Sequence, residues 1–270
     1  MIYVDNLKRG VELINKLANI DAIATDVDGT ITANRDGYFI PSEVIECIRE
    51  IRKYNIMLIF VSANAFPVLY GLARYIGAKA IVSENGCIIA SLNEHGREMN
   101  IYEICGRGYR ELVSKIVSEM GDFLKESWQN DYRKYDFALI QKDNRVSHIE
   151  LMQKIKKIVI KNGYDSKVNV NYSGYAFHIT PKEGGKSVGL KKISEILGIE
   201  LKNTLGIGDS YMDLEFIQLT GVKVAVRNAD EDLKRNVDII TDEESGYGFA
   251  QICETIIDAK KIKASISLED

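Results

Sequence analysis

Four cysteines in 270 residues, Cys47, Cys87, Cys105 and Cys253, are few and far apart. There is no Cys-x-x-Cys pair and no histidine cluster nearby, so zinc and thioredoxin-type chemistry lack the spacing they require. Each thiol is therefore expected to be a small buried apolar side chain in a reducing cytosol, and the protein to be cytoplasmic. Charge of one sign is also lacking. The 35 basic and 39 acidic side chains leave a net charge of −4, without the basic footprint of a nucleic-acid binder. No apolar run exceeds Ile56 to Val61, far short of the ~18 residues of a membrane span. Met1 to Gly10 carries Asp5 and no apolar core, so it does not read as a secretory signal. Nucleic acid, membrane and export are thus excluded, and no fixed-period repeat or low-complexity tract appears. What is present is ordinary globular composition, 46% hydrophobic and 27% charged, which excludes disordered, collagen-like and coiled-coil readings. A chain of this length can bury roughly 75% of its unfolded surface, enough for one large domain or two modest ones.

Apolar runs alternate with amphipathic segments along most of the chain. Asn6 to Ala18 spaces Leu7, Val11, Leu13, Ile14 and Leu17 as an amphipathic helix would. Strands are expected at Ile20–Thr25, Ile56–Ser62 and Ala80–Ser83, with helices at Ser42–Tyr54 and from Pro67 to Ile76, proline suiting a first helical turn. The rhythm resumes with helix Lys186–Leu197, strand Thr204–Ile207, helix Asp213–Leu219, strand Val222–Val226, helix Asp230–Asn236, strand Ile239–Thr241 and helix Phe249–Ile262. Such alternation implies a parallel sheet covered on both faces, a doubly wound, Rossmann-like α/β core.

The middle of the chain breaks this order. Asn85-Gly86 signals a tight turn, followed by strands Cys87–Leu92 and Glu98–Tyr102 around Asn93-Glu94-His95-Gly96. A helix near Tyr109–Met120, strand Phe137–Gln141, a helix over Ser147–Lys161 and strands Lys167–Tyr172 and Tyr175–Thr180 complete it. We therefore expect an inserted α+β cap over residues 87–181, within a discontinuous core formed by 1–86 and 182–270. A two-residue turn at Ser173-Gly174 would pair Tyr172 with Tyr175, Val170 with Phe177 and Val168 with Ile179 on an apolar face. The opposite face, with Lys167, Asn169, Asn171, Ala176, His178 and Thr180, is expected to look into the cleft.

Chemistry is concentrated at strand ends. Asp26-Val27-Asp28-Gly29-Thr30 follows an apolar strand directly, where open parallel sheets place their sites. Gly208-Asp209-Ser210-Tyr211-Met212-Asp213 follows another, with Asp213 one helical turn from Asp209. Four carboxylates in a dry crevice are costly without a cation, and Mg²⁺ takes carboxylate oxygens together with a substrate phosphate. Ser62, ending the strand Val61-Ser62-Ala63-Asn64, and nearby backbone N–H groups can grip a phosphoryl oxygen. Lys186, after Gly184-Gly185, can neutralise charge. Arg107, Arg110, Arg133, Lys191 and Lys192 read as solvated charges.

Taken in chain order (Asp26 and Asp28, Ser62, Lys186, then Asp209 and Asp213), these elements resemble the four motifs of the haloacid dehalogenase superfamily of phosphohydrolases, over nearly the whole chain after Ile20. Glu84-Asn85-Gly86 and Tyr172-Ser173-Gly174-Tyr175-Ala176-Phe177-His178 look like its archaeal phosphoglycolate phosphatase branch. The resemblance implies Asp26 as nucleophile and Asp28 as general acid/base. It further implies Ser62 and Lys186 as phosphate ligands, and Mg²⁺ around Asp26, Asp28, Asp209 and Asp213, the residue at Asp28 usually binding through its carbonyl. Asn64 and His178 are added as candidate phosphate or substrate contacts. The partner is then a small phosphorylated metabolite, 2-phosphoglycolate before a sugar phosphate. A homo-oligomer is left open. The position before Asp213, often Asn in this group, is Met212, and residues 1–18 precede the usual start.

Two other classes share parts of this pattern. A receiver-type signalling module uses similar groups, but is far shorter and places its acceptor Asp on a later strand, where this chain has Ser62. A non-catalytic phosphate-binding protein would have little use for Asp28. Multiple-turnover phosphate release separates both from a phosphatase or a phosphomutase.

Overall fold

Strands buried along their whole length, without alternation, need cover on both faces. The computed structural model, which describes residues 2–3, 10–34, 39–93 and 98–266, has such strands at its centre. In chain order the elements are β1 (Ile2–Tyr3), α1 (Val11–Ala18), β2 (Ala22–Thr25), α2 (Ser42–Lys53), β3 (Met57–Val61), α3 (Phe66–Ile76), β4 (Ala80–Ser83), β5 (Ile88–Leu92) and β6 (Met99–Glu103). Then come α4 (Arg110–Met120), β7 (Leu124–Glu126), β8 (Phe137–Gln141), α5 (His148–Lys161), β9 (Val168–Tyr172) and β10 (Ala176–Pro181). The chain closes with α6 (Lys186–Leu197), β11 (Thr204–Gly208), α7 (Leu214–Ile217), β12 (Val222–Ala225), α8 (Glu231–Lys234), β13 (Ile239–Ile240) and α9 (Ser245–Ile266).

Among the described residues the large sheet has nine strands in the order β1-β13-β12-β11-β2-β3-β4-β5-β6. All are parallel except β5 and β6, which add an antiparallel edge. This is the doubly wound, mostly parallel α/β fold expected. Helices α1 and α2 pack with α9, while α6 packs with α7 and lies against β4 and β5. The site therefore falls where β2, β3 and β11, neighbours at the middle of the sheet, end together.

A second sheet, β7-β8-β10-β9, is wholly antiparallel. Its apolar face (Phe137, Leu139, Val168, Val170, Phe177 and Ile179) packs with Leu112, Ile116, Leu151 and Ile155 of α4 and α5. The hairpin β5–β6, which the sequence reading gave to the insert, instead belongs to the large sheet. The reason is local. Glu84, Asn85 and Gly86 take φ of 47°, 50° and 85°, a left-handed run that reverses the chain at once and returns β5 onto β4.

That hairpin also corrects the cysteine expectation. Pairing of Ile88 with Glu103 brings Cys87 and Cys105 together, and they form a disulfide with a Cα–Cα distance of 4.9 Å. Cys47 and Cys253 are free and buried, as expected. The chain returning from the small sheet touches the turn between β4 and β5. Gly185 N–H donates to Asn85 O at 2.7 Å, and a Cβ on Gly86 would lie 1.8 Å from the Gly185 carbonyl oxygen.

Register in β9–β10 differs from expectation by one step of two residues: Phe177 faces Tyr172, His178 faces Asn171 and Ile179 faces Val170. The connection is longer than two residues, because Ser173 Oγ accepts from Ala176 N–H at 3.2 Å and stabilises a wider loop. Of the turn expected at Asn93–Gly96, residues 94–96 lie outside the described residues, as do residues 6–9 of the expected opening helix.

Candidate active site

The strand ends converge as their apolar registers require. Asp26 follows β2, Ser62 follows β3, Asp209 follows β11, and Lys186 is the first residue of α6. Lys186 Nζ donates to Asp26 Oδ1 at 2.8 Å and to Asp213 Oδ1 at 2.6 Å. Oxygens of Asp26, Asp209 and Asp213 lie within 4.8 Å of one another, and all three residues are buried. Asp213 is held by its own turn, its Oδ2 accepting from the N–H of Asp209 at 3.1 Å and of Ser210 at 2.9 Å. This close fold needs Gly208, where a Cβ would meet Asp213 Oδ2 at 2.5 Å. Thr30, a motif residue the sequence reading left without a task, donates from Oγ1 to Asp209 Oδ1 at 3.2 Å.

Electrostatics follow from burial. Loss of water raises the Asp26 pKa well above the usual carboxylate range; Lys186 opposes this, and Asp213, Asp209 and Asp28 add to it. Burial alone would depress Lys186, but Asp213 and Asp26 outweigh it and keep the ammonium charged. Three buried carboxylates against one bonded ammonium leave excess negative charge among hard oxygen donors. Such a set fits a divalent cation such as Mg²⁺.

The Asp28 carboxylate stands outside this cluster. It opens onto the cavity yet is walled by protein atoms. Desolvation raises its pKa, while the Asn64 hydrogen bond, Lys186 and Arg133 pull it down. Asn64 Nδ2 donates to Asp28 Oδ2 at 2.7 Å. Ser62 Oγ accepts from Asn64 N–H at 3.1 Å and from Asn64 Nδ2 at 3.2 Å, so its own hydrogen is left to point elsewhere.

These groups line one cavity of about 820 Å³ with residues of the small-sheet layer, among them Gln129, Arg133 and His178. His178 is buried, and its Nδ1 lies 2.8 Å from Asp136 Oδ2. It thus reaches the cleft, as expected of its face, but Lys167, Asn169 and Asn171 stay exposed and outside the cavity. Met212, flagged as a departure, also lines it.

Arg133 overturns the reading of a solvated charge. Its side chain is 4% exposed and its Nη1 donates to Asp136 Oδ2 at 2.9 Å and to the Ala63 carbonyl at 2.7 Å. Asp136 is fully buried. Burial would raise it, but His178, Arg133 and Thr180 outweigh that and hold its pKa below the ordinary value. Glu84 ties the same loop to β4, accepting from the N–H groups of Lys134 (3.0 Å), Tyr135 (2.8 Å) and Asp136 (3.2 Å). Gln129, Arg133 and Asp136 went unrecognised because they sit in an irregular segment without periodicity. The Arg-x-x-Asp spacing was the one available signal.

Comparison with known proteins identifies the family. The family model described as haloacid dehalogenase-like hydrolase matches residues 23–123 and 124–252. A Staphylothermus marinus protein named phosphoglycolate phosphatase is 38% identical over 236 residues, covering 87% of this chain and 97% of that protein. One of the same name from Sulfolobus acidocaldarius is 34% identical, covering 88% of this chain and 97% of its own. A crystal structure from Thermoplasma acidophilum has 26% identity and a TM-score of 0.71, covering 88% of this chain and 98% of that one. The Synechocystis sucrose-phosphatase, solved with sucrose and phosphate, shares the fold at 16% identity and a TM-score of 0.66, covering 88% and 97%. By the family match and by these relatives, the chain belongs to the haloacid dehalogenase-like hydrolases.

Proposed function

We propose that the protein is a phosphatase that hydrolyses a small phosphate monoester through an aspartyl-phosphate on Asp26, with 2-phosphoglycolate as the preferred substrate. The observation that carries this is the pinning of Lys186 between Asp26 and Asp213, with Asp209 beside them. Three chain segments thereby meet around a carboxylate poised at the end of β2.

Asp26 attacks phosphorus in line, and Asp28 protonates the departing alkoxide, then takes a proton from the attacking water. A raised Asp28 pKa suits the first of these tasks, since a carboxyl must be protonated to donate. The Ser62 hydroxyl and Lys186 hold the equatorial oxygens, while the side-chain amide of Asn64 is engaged by Asp28, Ser62 and Gln129. Asp26, Asp209, Asp213 and the Asp28 carbonyl would hold Mg²⁺, which when bound neutralises the nucleophile and the phosphoryl oxygens. Asp213 also orients Lys186. The layer of β7–β10 acts as the cap that excludes water and selects the leaving group, with His178 fixed by Asp136 on its wall.

The relatives named phosphoglycolate phosphatase support the substrate. A second reading, a sugar phosphate, is favoured by the cavity of about 820 Å³, roomy for a glycolate leaving group. The deciding assay measures phosphate release from phosphoglycolate, sugar phosphates and an aryl phosphate, with and without Mg²⁺, for wild type and Asp26→Asn. Asp26→Asn should lose nearly all turnover while folding normally. Near-normal hydrolysis by that variant would exclude the mechanism.

A further inference from the structure

Donors and acceptors around Asp28 run in one direction, starting from the small-sheet layer. Gln129 lies in the single turn Trp128–Asp131 between β7 and β8. Its Oε1 accepts from the Ala65 N–H at 2.8 Å and from Arg133 Nη2 at 3.3 Å. With that oxygen held by N–H donors, Nε2 is the atom turned to Asn64, and it donates to Asn64 Oδ1 at 2.8 Å. Asn64 must then offer Nδ2 on its other side, where it reaches Asp28 Oδ2 at 2.7 Å.

We propose that Gln129 is a positioning residue: by fixing the amide of Asn64, it decides which oxygen of Asp28 is offered to the leaving group. The inference rests on the reading of Asp28 as acid/base given above. With Nδ2 facing the carboxyl, Oδ2 is an acceptor and the acidic proton is placed on Oδ1. Were Asn64 turned over, its carbonyl would face Asp28, and the proton would be spent on that carbonyl instead of on substrate. In the step itself, an Asp26 oxygen bonds to phosphorus and the bond from phosphorus to the ester oxygen breaks. The electron pair leaves on that oxygen, which takes the Asp28 proton, leaving Asp28 a carboxylate.

Gln129 belongs to one layer, while Asn64 and Asp28 follow β3 and β2 of the other. The orienting contact therefore exists only while the two layers are together. Water entering an open cleft would find an acid whose proton is not aimed. Arg133, bonded to Gln129 and to the Ala63 carbonyl, braces this contact from the same layer.

The test uses leaving groups that need the proton unequally. An alkoxide such as glycolate needs protonation to depart; 4-nitrophenolate hardly does. The quantity compared is kcat/KM, which reports steps up to departure of the leaving group. Gln129→Met and Gln129→Ala, both neutral, should lower kcat/KM on phosphoglycolate about tenfold or more beyond any loss on 4-nitrophenyl phosphate, within the range general acids supply. In an Asn64→Ala background, Gln129→Met should cost less than about twofold, because the residue acts through Asn64. Aryl phosphate turnover serves as the internal check of folding. Equal losses on both substrates, or losses that multiply with Asn64→Ala, would overturn the inference and leave the phosphatase reading standing. Hydrolysis that persists in Asp26→Asn would instead overturn that reading.

Discussion

Lys186→Met removes the ammonium bonded to both Asp26 and Asp213, and its effect on stability can be worked out. Taking one partner from a buried ion pair costs about 3–5 kcal/mol. Asp26 already has a raised pKa and can relieve part of that by binding a proton, so the lower end, about 3 kcal/mol, is expected at neutral pH. For a chain of this size each kcal/mol moves the melting midpoint by about 2–4 °C, giving a fall of about 6–12 °C. The pH dependence has a definite sign. Asp26 titrates near 3.9 when unfolded and higher when folded, so the folded state is penalised as pH rises between those values. The deficit of the variant should therefore be largest near pH 7.5 and shrink toward pH 4. Melting curves in EDTA, repeated in millimolar MgCl₂, measure both features, and the cation should restore part of the loss in place of the lysine. A fall below about 2 °C, or a deficit that persists unchanged on acidification, would refute the reasoning.

Asp136→Asn leaves Arg133 and His178 without their shared anion. The loss should be about 3 kcal/mol at neutral pH. Because the folded Asp136 pKa is depressed, this stability is present above about pH 4 and lost as pH falls through the folded value, so wild type and variant should converge in acid. Denaturation at pH 7 and pH 3 checks this, and an equal gap at both would contradict it. Gly86→Ala forces a side chain into a left-handed backbone of φ 85°, against the Gly185 carbonyl. A drop in melting midpoint of at least about 4 °C is expected, and an unchanged midpoint would show that the contact yields.

Much of the core was legible because each chemical residue follows a continuous apolar strand. Asp26, Ser62 and Asp209 inherit their position from β2, β3 and β11, and no long-range knowledge was needed to see that they end on one side. What lay beyond reach was set by contacts between irregular segments. Arg133 in a loop looks like any surface arginine, and only the fold puts Asp136, Ala63 and Gln129 around it. The β9–β10 register was open because a shift of two residues keeps every side chain on its face, so patterning could not choose between turn lengths. The disulfide was hidden by the length of the β5–β6 hairpin, which separates in sequence what it joins in space. The same hairpin was read into the insert because nothing in its composition distinguishes an antiparallel edge of one sheet from the start of another.

The chain leaving for the smaller layer at Cys105 and the chain returning at Gly185 are both fixed to the β4–β5 turn, one by the disulfide to Cys87 and the other by the hydrogen bond to Asn85, and this has a mechanical meaning. Two chains anchored at one turn cannot slide apart separately, so a swing of the smaller layer would be a rotation about that turn. Lys186 sits next to Gly185 at that turn, whereas Gln129 is carried by the smaller layer. Such a rotation would leave the site's charge in register throughout, while carrying the amide that aims the acid in and out of reach.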